Sequence, residues 1–192
     1  KFNSNFSKQW CTYYGGNSTD NCSSLEIDDN NNIYLIGTTN SSNNIATVGS
    51  YKDILPTGNV NGFIAKFKTD GTRLWGTYYG GENKYSTGDT CESGSVNKTN
   101  GDIYLIGNTR QITYYGTSNS FQPINKGSDE CYLSKFDTTG NLIWSTFYGT
   151  PSQDYALNIY YKNNTIYAGG YSTGVATNGN NLGTPGTFMP DG

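Results

Sequence analysis

Residues 61–81 read NGFIAKFKTDGTRLWGTYYGG. Residues 63–67 form a short apolar segment in which the alternation of a strand puts Lys66 on the opposite face from its neighbours. Asp70-Gly71 then provides the residues that tolerate the positive φ angles of a short hairpin. A second apolar segment follows around Trp75. The stretch therefore predicts two antiparallel strands joined by a tight turn.

The same pattern occurs three times along the chain. Its tryptophans, Trp10, Trp75 and Trp144, are spaced by 65 and 69 residues. Each is preceded by Lys-Phe nine residues earlier and followed by a Thr-aromatic-Tyr-Gly segment. A period of this length is the signature of a repeat architecture. Two further blocks recur in the same order, at residues 33–37, 103–107 and 166–170, and at residues 49–51, 119–121 and 186–188.

Each repeat is predicted to contain four short strands. The first strands are residues 20–28, 89–97 and 154–161, and the second are the Ile-Tyr-Leu-Ile-Gly blocks. The third strands are residues 63–67 and 132–136, and the fourth contain the tryptophans. Four antiparallel strands repeated around an axis form a β-propeller blade. We therefore predict an all-β fold made of four-stranded antiparallel propeller blades.

The repeats divide the chain into residues 1–65, 66–134 and 135–192. In structural register, the predicted blades are residues 20–81 and 89–149, and a third blade is divided between the two termini. Three blades are too few, because propellers typically have four to eight. We therefore expect residues 1–192 to form one segment of a larger ring, completed by further blades of a parent protein or by a second copy.

Composition excludes several classes of partner. Charged residues make up 14% of the chain, the net charge is −3, and there is no basic cluster to neutralise nucleic-acid phosphates. No apolar run is long enough for a membrane-spanning helix, so membrane insertion is not expected. Aromatic residues reach 15%, which disfavours disorder.

The repeated residues resemble a known family. Tyr-Gly-Gly followed by Asp, the Ile-Tyr-Leu-Ile-Gly strand, and Gly-Phe-Ile-Ala-Lys-Phe with Asp-Gly and Leu-Trp are similar to SBBP-type β-propeller repeats. These repeats occur in large exported bacterial proteins, often of the Bacteroidetes. The resemblance is strongest at residues 61–81 and 101–109, and the third unit departs from it at residues 149–151. It implies a propeller in a secreted or cell-surface protein, and it implies no catalytic residue.

The chain offers few groups for catalysis or metal binding. It contains no histidine, which removes most general-base and zinc sites. The best acidic candidates recur once per repeat, as Asp20, Asp89 and Asp154. We expect them to close turns by accepting backbone N–H bonds, with cation binding and catalysis as the alternatives. The Asn/Asp run at residues 28–32 lacks the ligand pattern of a calcium loop. We predict a protein that is not an enzyme and has no metal or cofactor.

The tryptophans and cysteines are predicted to be structural. Because Trp10, Trp75 and Trp144 are equivalent, they are expected to be buried between blades. The cysteines are expected to be unpaired, because the predicted strands hold them too far apart for disulfides. They are Cys11, Cys22, Cys91 and Cys131.

The long connections are the predicted recognition surface. Residues 38–61, 108–130 and 171–192 should share one face with residues 80–88, and loops on a rigid scaffold commonly bind partners. Four residues there lack repeat counterparts and belong to types favoured in interfaces. The predicted function is a non-catalytic adhesion or scaffolding module that binds a protein or glycan at a cell surface. The alternative is a lectin or carbohydrate-active enzyme using the same face. The four residues are Tyr85, Arg110, Tyr114 and Tyr115.

Overall fold

The computed structural model describes residues 1–55, 58–81 and 88–174, and its regular elements are all β-strands. Strands β1 to β4 form one antiparallel sheet, β5 to β8 form a second, and β9 and β10 form a third, two-stranded sheet. The prediction of four-stranded antiparallel blades is confirmed. The strands are β1 (Asp20–Ile27), β2 (Ile33–Thr39), β3 (Asn61–Phe67), β4 (Arg73–Tyr79), β5 (Thr90–Val96), β6 (Ile103–Thr109), β7 (Glu130–Phe136), β8 (Leu142–Tyr148), β9 (Asp154–Lys162) and β10 (Thr165–Ser172).

The first strand of every unit carries a β-bulge at the same place. One extra residue, Ser23, Glu92 or Leu157, lies between the two paired stretches. The bulge pushes a backbone carbonyl toward the last residue of the Ile-Tyr-Leu-Ile-Gly block. A Cβ on Gly107 would lie 2.0 Å from the Thr90 carbonyl oxygen. The repeated glycine therefore makes room for the bulged neighbouring strand.

The two complete blades, β1–β4 and β5–β8, pack face to face through a shared apolar core. Blade 1 contributes side chains from β2, β3 and β4, and blade 2 contributes them from all four of its strands. Strand β5 lies against β1 on one side and against β9 on the other, so the first strands are neighbours along the inside of the arc. The three sheets do not close into a ring. Fully buried members of this core include Tyr34, Ile36, Ile64, Ile103, Leu105 and Phe136.

The connections between second and third strands run down the outer edge of their own blade. The Thr47 N–H donates to the Gly76 carbonyl oxygen of β4 (2.8 Å), and the Thr117 N–H donates to the Ser145 carbonyl oxygen of β8 (3.0 Å). These bonds cover what would otherwise be an exposed sheet edge. The backbone of residues 47–52 and 117–122 is therefore repeated scaffold, and recognition is left to the exposed side chains of these segments and to the rest of each connection.

Residues 1–14 form a hairpin that corresponds to the outer part of a blade. Phe2 bridges Lys8 just as Phe67 pairs with Arg73 in blade 1. Phe6 has a φ of 59°, which matches the positive φ of 91° at Gly71 in the equivalent turn. We call residues 1–14 the N-terminal hairpin. In the described residues, the chain thus has two complete blades, an outer half-blade (the N-terminal hairpin) and an inner half-blade (β9 and β10).

Candidate functional site

The three repeated aspartates lie at the turn between a fourth strand and the next first strand. Each carboxylate accepts a backbone N–H, from Gly16 (2.8 Å) for Asp20, from Gly81 (2.7 Å) for Asp89 and from Thr150 (2.7 Å) for Asp154. Burial raises the pKa of Asp89, and the bonds from Thr109 and Gly81 oppose that rise. These contacts are those of turn-closing side chains.

A lysine and a tryptophan of one unit donate hydrogen bonds to the turn between the third and fourth strands of the next unit. The Trp75 indole N–H donates to the Thr138 carbonyl oxygen (3.2 Å), and the Lys66 ammonium donates to the Thr138 hydroxyl (2.5 Å). Trp10 and Lys1 make the same two bonds to Thr69, at 3.1 and 2.7 Å. We call this arrangement the Lys–Trp clamp.

The tryptophans are equivalent, as predicted, but the prediction that they are buried is wrong. Trp10, Trp75 and Trp144 are only partly buried. Trp75 lies at the outer rim, where its ring covers Gly140 of the neighbouring turn and its N–H must reach a backbone carbonyl.

A tyrosine-rich cluster fills the junction of the two complete blades. The Tyr79 hydroxyl is within hydrogen-bonding distance of the Ser134 hydroxyl (2.6 Å) and donates to that of Ser145 (2.9 Å). Its ring meets those of Tyr115 and Tyr132 edge-on, with centroids 5.1 and 5.6 Å away. Burial raises the pKa of Tyr79 well above its ordinary value. The cluster is a packed and hydrogen-bonded interior.

Tyr115, predicted as a partner contact, belongs to this interior. It is completely buried and stacks on Tyr132 with ring centroids 4.0 Å apart. The corresponding residue in blade 1 is Ile45, which is also buried. The correspondence follows from Thr47 and Thr117, which lie two residues later and each donate a backbone N–H to the fourth strand. The structure therefore corrects the prediction at Tyr115, which has a repeat counterpart and no accessible surface.

Tyr114 lies at the surface, next to two residues that sequence reasoning did not select. Tyr51 is 40% exposed and Tyr114 is 36% exposed. The Lys52 ammonium lies 5.7 Å from the Tyr114 ring centroid and donates to the Gly80 carbonyl oxygen (2.5 Å). We call Tyr51, Lys52 and Tyr114 the Tyr51–Tyr114 patch. Two aromatic rings beside an ammonium group can hold an apolar side chain or a sugar ring.

Arg110 is engaged within the protein. Its guanidinium donates from Nε and Nη2 to the two carboxylate oxygens of Asp129, at 2.6 and 3.0 Å, and Asp129 raises the pKa of Arg110. The Gln153 side chain donates to the same carboxylate (3.0 Å). The residue of blade 1 that corresponds to Asp129 is Val60, so the Arg110–Asp129 ion pair does not recur and could not be recognised from the repeats. The ion pair links blade 2 to the start of β9.

The remaining candidates lie elsewhere. Tyr85 and most of residues 171–192 are outside the described residues. All four cysteines are free, and burial raises the pKa of Cys91 and of Cys131 to about 12. Within residues 1–55, 58–81 and 88–174, no group of three or more acidic or cysteine side chains could hold a metal ion. That same part of the chain contains no helix long and apolar enough to cross a membrane.

Comparison with known proteins agrees with the repeat architecture. The sequence model of the SBBP family, described as a beta-propeller repeat, matches residues 9–46. The match runs from the Trp10 segment through Asp20 and the whole of β1 and β2. No curated protein matches the chain. The matched segment is thus similar to an SBBP beta-propeller repeat, and the second unit repeats its strands and contacts.

Proposed function

We propose that the chain is a non-catalytic adhesion or scaffolding module of a large secreted or cell-surface bacterial protein. A beta-propeller repeat is a structural or binding unit, and the repeated polar residues here are engaged in holding blades together. Asp89 closes a turn, and Lys66 and Trp75 grip the next blade. Supporting the export of the host protein is the resemblance to repeats of exported bacterial proteins.

The observation that carries the proposal is the Tyr51–Tyr114 patch. In the junction of the two blades, Tyr51 and Tyr114 remain exposed while Tyr79 beneath them is buried. Exposed tyrosines with rigid support lose little conformational freedom on binding, which favours them as anchors for a partner. The partner proposed for this patch is a protein or glycan at a cell surface.

Binding of cell-surface proteins and glycans by the chain tests the proposal. Immobilised protein is screened against a glycan array and a panel of surface proteins, and affinities are measured for each ligand found. We expect Tyr114→Ala to weaken binding at least tenfold, because it removes one aromatic anchor. Ile112→Ala, on the same connection and 65% exposed, is the matched control and should change affinity less than twofold. Equal effects of the two substitutions, or no ligand at all, would overturn the proposal.

A lectin or carbohydrate-active enzyme is the second candidate, because exposed tyrosine rings also stack on sugars. A glycoside-hydrolase screen separates it from a pure binding module. The Asp20→Asn, Asp89→Asn and Asp154→Asn variants serve as controls for acid catalysis. Glycan cleavage that disappears in one of these variants would establish the enzyme and refute the non-catalytic proposal.

A further inference from the structure

Among the described residues, the Lys–Trp clamp holds a turn at two of its three occurrences and is open at the third. The clamps at Lys1 and Trp10 and at Lys66 and Trp75 each hold the turn of the following unit. The third pair, Lys135 and Trp144, has no turn beside it in the described residues, and Lys135 instead forms an ion pair with Asp102 (2.7 Å). Phe121 is 77% exposed, whereas its counterpart Tyr51 packs against Phe136 of the following blade. Ile143, next to Trp144 in β8, is 52% exposed.

The N-terminal hairpin presents the kind of turn that a clamp holds. By register, Ser4 occupies the place of Thr69 and Thr138 and supplies the same hydroxyl group. The Asn3 side chain accepts the backbone N–H groups of Asn5 (3.0 Å) and Ser7 (2.9 Å). In the clamped turn of blade 2, the Asp137 side chain accepts the equivalent N–H groups of Thr139 and Asn141. The hairpin therefore offers a turn that matches the open clamp at the other end of the arc.

An apolar groove of 540 Å³ lies between the N-terminal hairpin and the outer face of β1 and β2. On this face Leu25 is 58% exposed and Ile27 is 46% exposed. The equivalent face of blade 2 is covered by blade 1, where Val96 is only 2% exposed and Ile103 is completely buried. We call the contact between blades 1 and 2 the established junction. It shows what fills such a groove, namely the second strand of another SBBP-type unit.

The exposed face of β10 fits this groove. Tyr167 is 59% exposed and corresponds to Tyr34, whose hydroxyl lies 3.3 Å from that of Thr138 and whose ring lies under the Lys66 ammonium. In the groove, Lys1 and Thr69 stand where Lys66 and Thr138 stand in the established junction. A Tyr167 placed there would find the same two partners.

Side-chain size is complementary at the same place. In the established junction a large residue meets a small one, because a Cβ on Gly94 would lie 2.2 Å from the Ile36 side chain. In the groove, Leu25 takes the position of Gly94, while in β10 Gly169 takes the position of Ile36. A Cβ on Gly169 would have no heavy atom of the described residues within 4 Å, apart from its two chain neighbours. At this contact the large residue comes from the groove (Leu25) and the small one from β10 (Gly169), the reverse of the established junction. The total side-chain volume at the contact is therefore conserved.

We propose that two copies of this chain pair head to tail, with the β9–β10 face and open clamp of each copy receiving the N-terminal hairpin and groove of the other. In the described residues, each copy brings two complete blades and two half-blades, and two such sets make six blades, within the range in which propellers close. Pairing in this way would cover the groove and the β9–β10 face of both copies, which favours a closed pair over an open-ended chain of copies.

Analytical ultracentrifugation of the 192-residue chain tests the pairing. We expect a species of twice the 21.0 kDa monomer mass. Gly169→Ile should abolish the pair by clashing with Leu25 of the partner, while its circular dichroism stays that of the parent chain. Trp144→Ala should weaken pairing at least tenfold, whereas Ile143→Ala, at the neighbouring exposed position, should leave it within threefold.

The decisive variant is Leu25→Gly combined with Gly169→Ile, which recreates the Gly94 and Ile36 contact of the established junction. We expect this double variant to restore the pair that Gly169→Ile loses. A monomeric parent chain at tens of micromolar, open-ended oligomers, or a pair unaffected by Gly169→Ile would each overturn the proposal. Pairing is read independently of ligand binding, which is measured at the Tyr51–Tyr114 patch.

Discussion

At the scale of single residues, hydrogen bonds between hydroxyl groups join blades 1 and 2. Ser134 and Ser145 place two hydroxyls against Tyr79, and they bond each other at 2.8 Å. The preceding junction lacks both serines, because Ala65 and Gly76 stand in their places. There Tyr14, the counterpart of Tyr79, donates to the Ile45 carbonyl oxygen instead (2.7 Å). The tyrosine at this repeat position is thus kept in both junctions, while the group that accepts its hydrogen bond differs.

Tyr79→Phe is expected to destabilise the protein in a pH-dependent manner. At pH 8 the loss of two buried hydrogen bonds should cost about 1 kcal/mol. Burial raises the folded-state pKa of Tyr79 well above 10.0, so above that pH the unfolded state ionises while the folded state stays protonated. The unfolded state then binds fewer protons, and the parent chain loses stability as pH rises, by about 1.4 kcal/mol per pH unit for this group.

Because the phenylalanine variant lacks that ionisation, its deficit should shrink between pH 10 and pH 11. Urea denaturation at pH 8, 10 and 11 measures the difference between the two proteins. A deficit that stays constant over this range would show that Tyr79 ionises equally in both states.

At the scale of strands, the sequence predicts positions well where turn chemistry repeats. The first strand, predicted at residues 20–28, is observed at Asp20–Ile27, and the second block is observed within β2. Asn, Asp and Gly mark the ends of these strands in every unit. The bulge at Ser23 could not be foreseen, because its side chain differs in each unit and only the backbone repeats. The turn at Phe6 was hidden for the opposite reason, since a phenylalanine rarely adopts a positive φ.

Gly107→Ala is expected to destabilise blade 2 by about 3 kcal/mol or more. The added methyl group would lie 2.0 Å from the Thr90 carbonyl oxygen and 2.5 Å from the Tyr132 hydroxyl, so β5 and β6 must separate. Thermal unfolding gives the measurement, and Gly169→Ala is the matched control in the equivalent strand β10. At protein concentrations too low for pairing, that control should be nearly neutral, since a Cβ there would meet no heavy atom of the described residues within 4 Å. Similar losses in both variants would refute the role assigned to the bulge.

At the scale of the molecule, the junction between blades 1 and 2 differs in strength from the junction that holds β9 and β10 on blade 2. The core between blades 1 and 2 contains twelve buried residues, whereas the core that holds β9 and β10 on blade 2 contains five. The difference could not be predicted from the sequence repeats, because they show which residues recur and not which faces are covered. The exposed side of β10 became apparent only from the arrangement of the sheets, in which no strand lies beyond β10 in the described residues.

The unequal junctions predict the order in which backbone amides exchange with solvent. Local opening is cheapest where few apolar contacts must break, so β9 and β10 should exchange first and β6 and β7 last. Hydrogen exchange followed by mass spectrometry on the Gly169→Ile variant, which is expected not to pair, measures this order without the contribution of pairing. In the parent chain, protection of β10 should rise with protein concentration, because the second copy covers its exposed face. If β10 is protected as strongly as β6 in the unpaired variant, the inner half-blade is an integral part of the blade 2 core, and the difference between the two junctions has no energetic consequence.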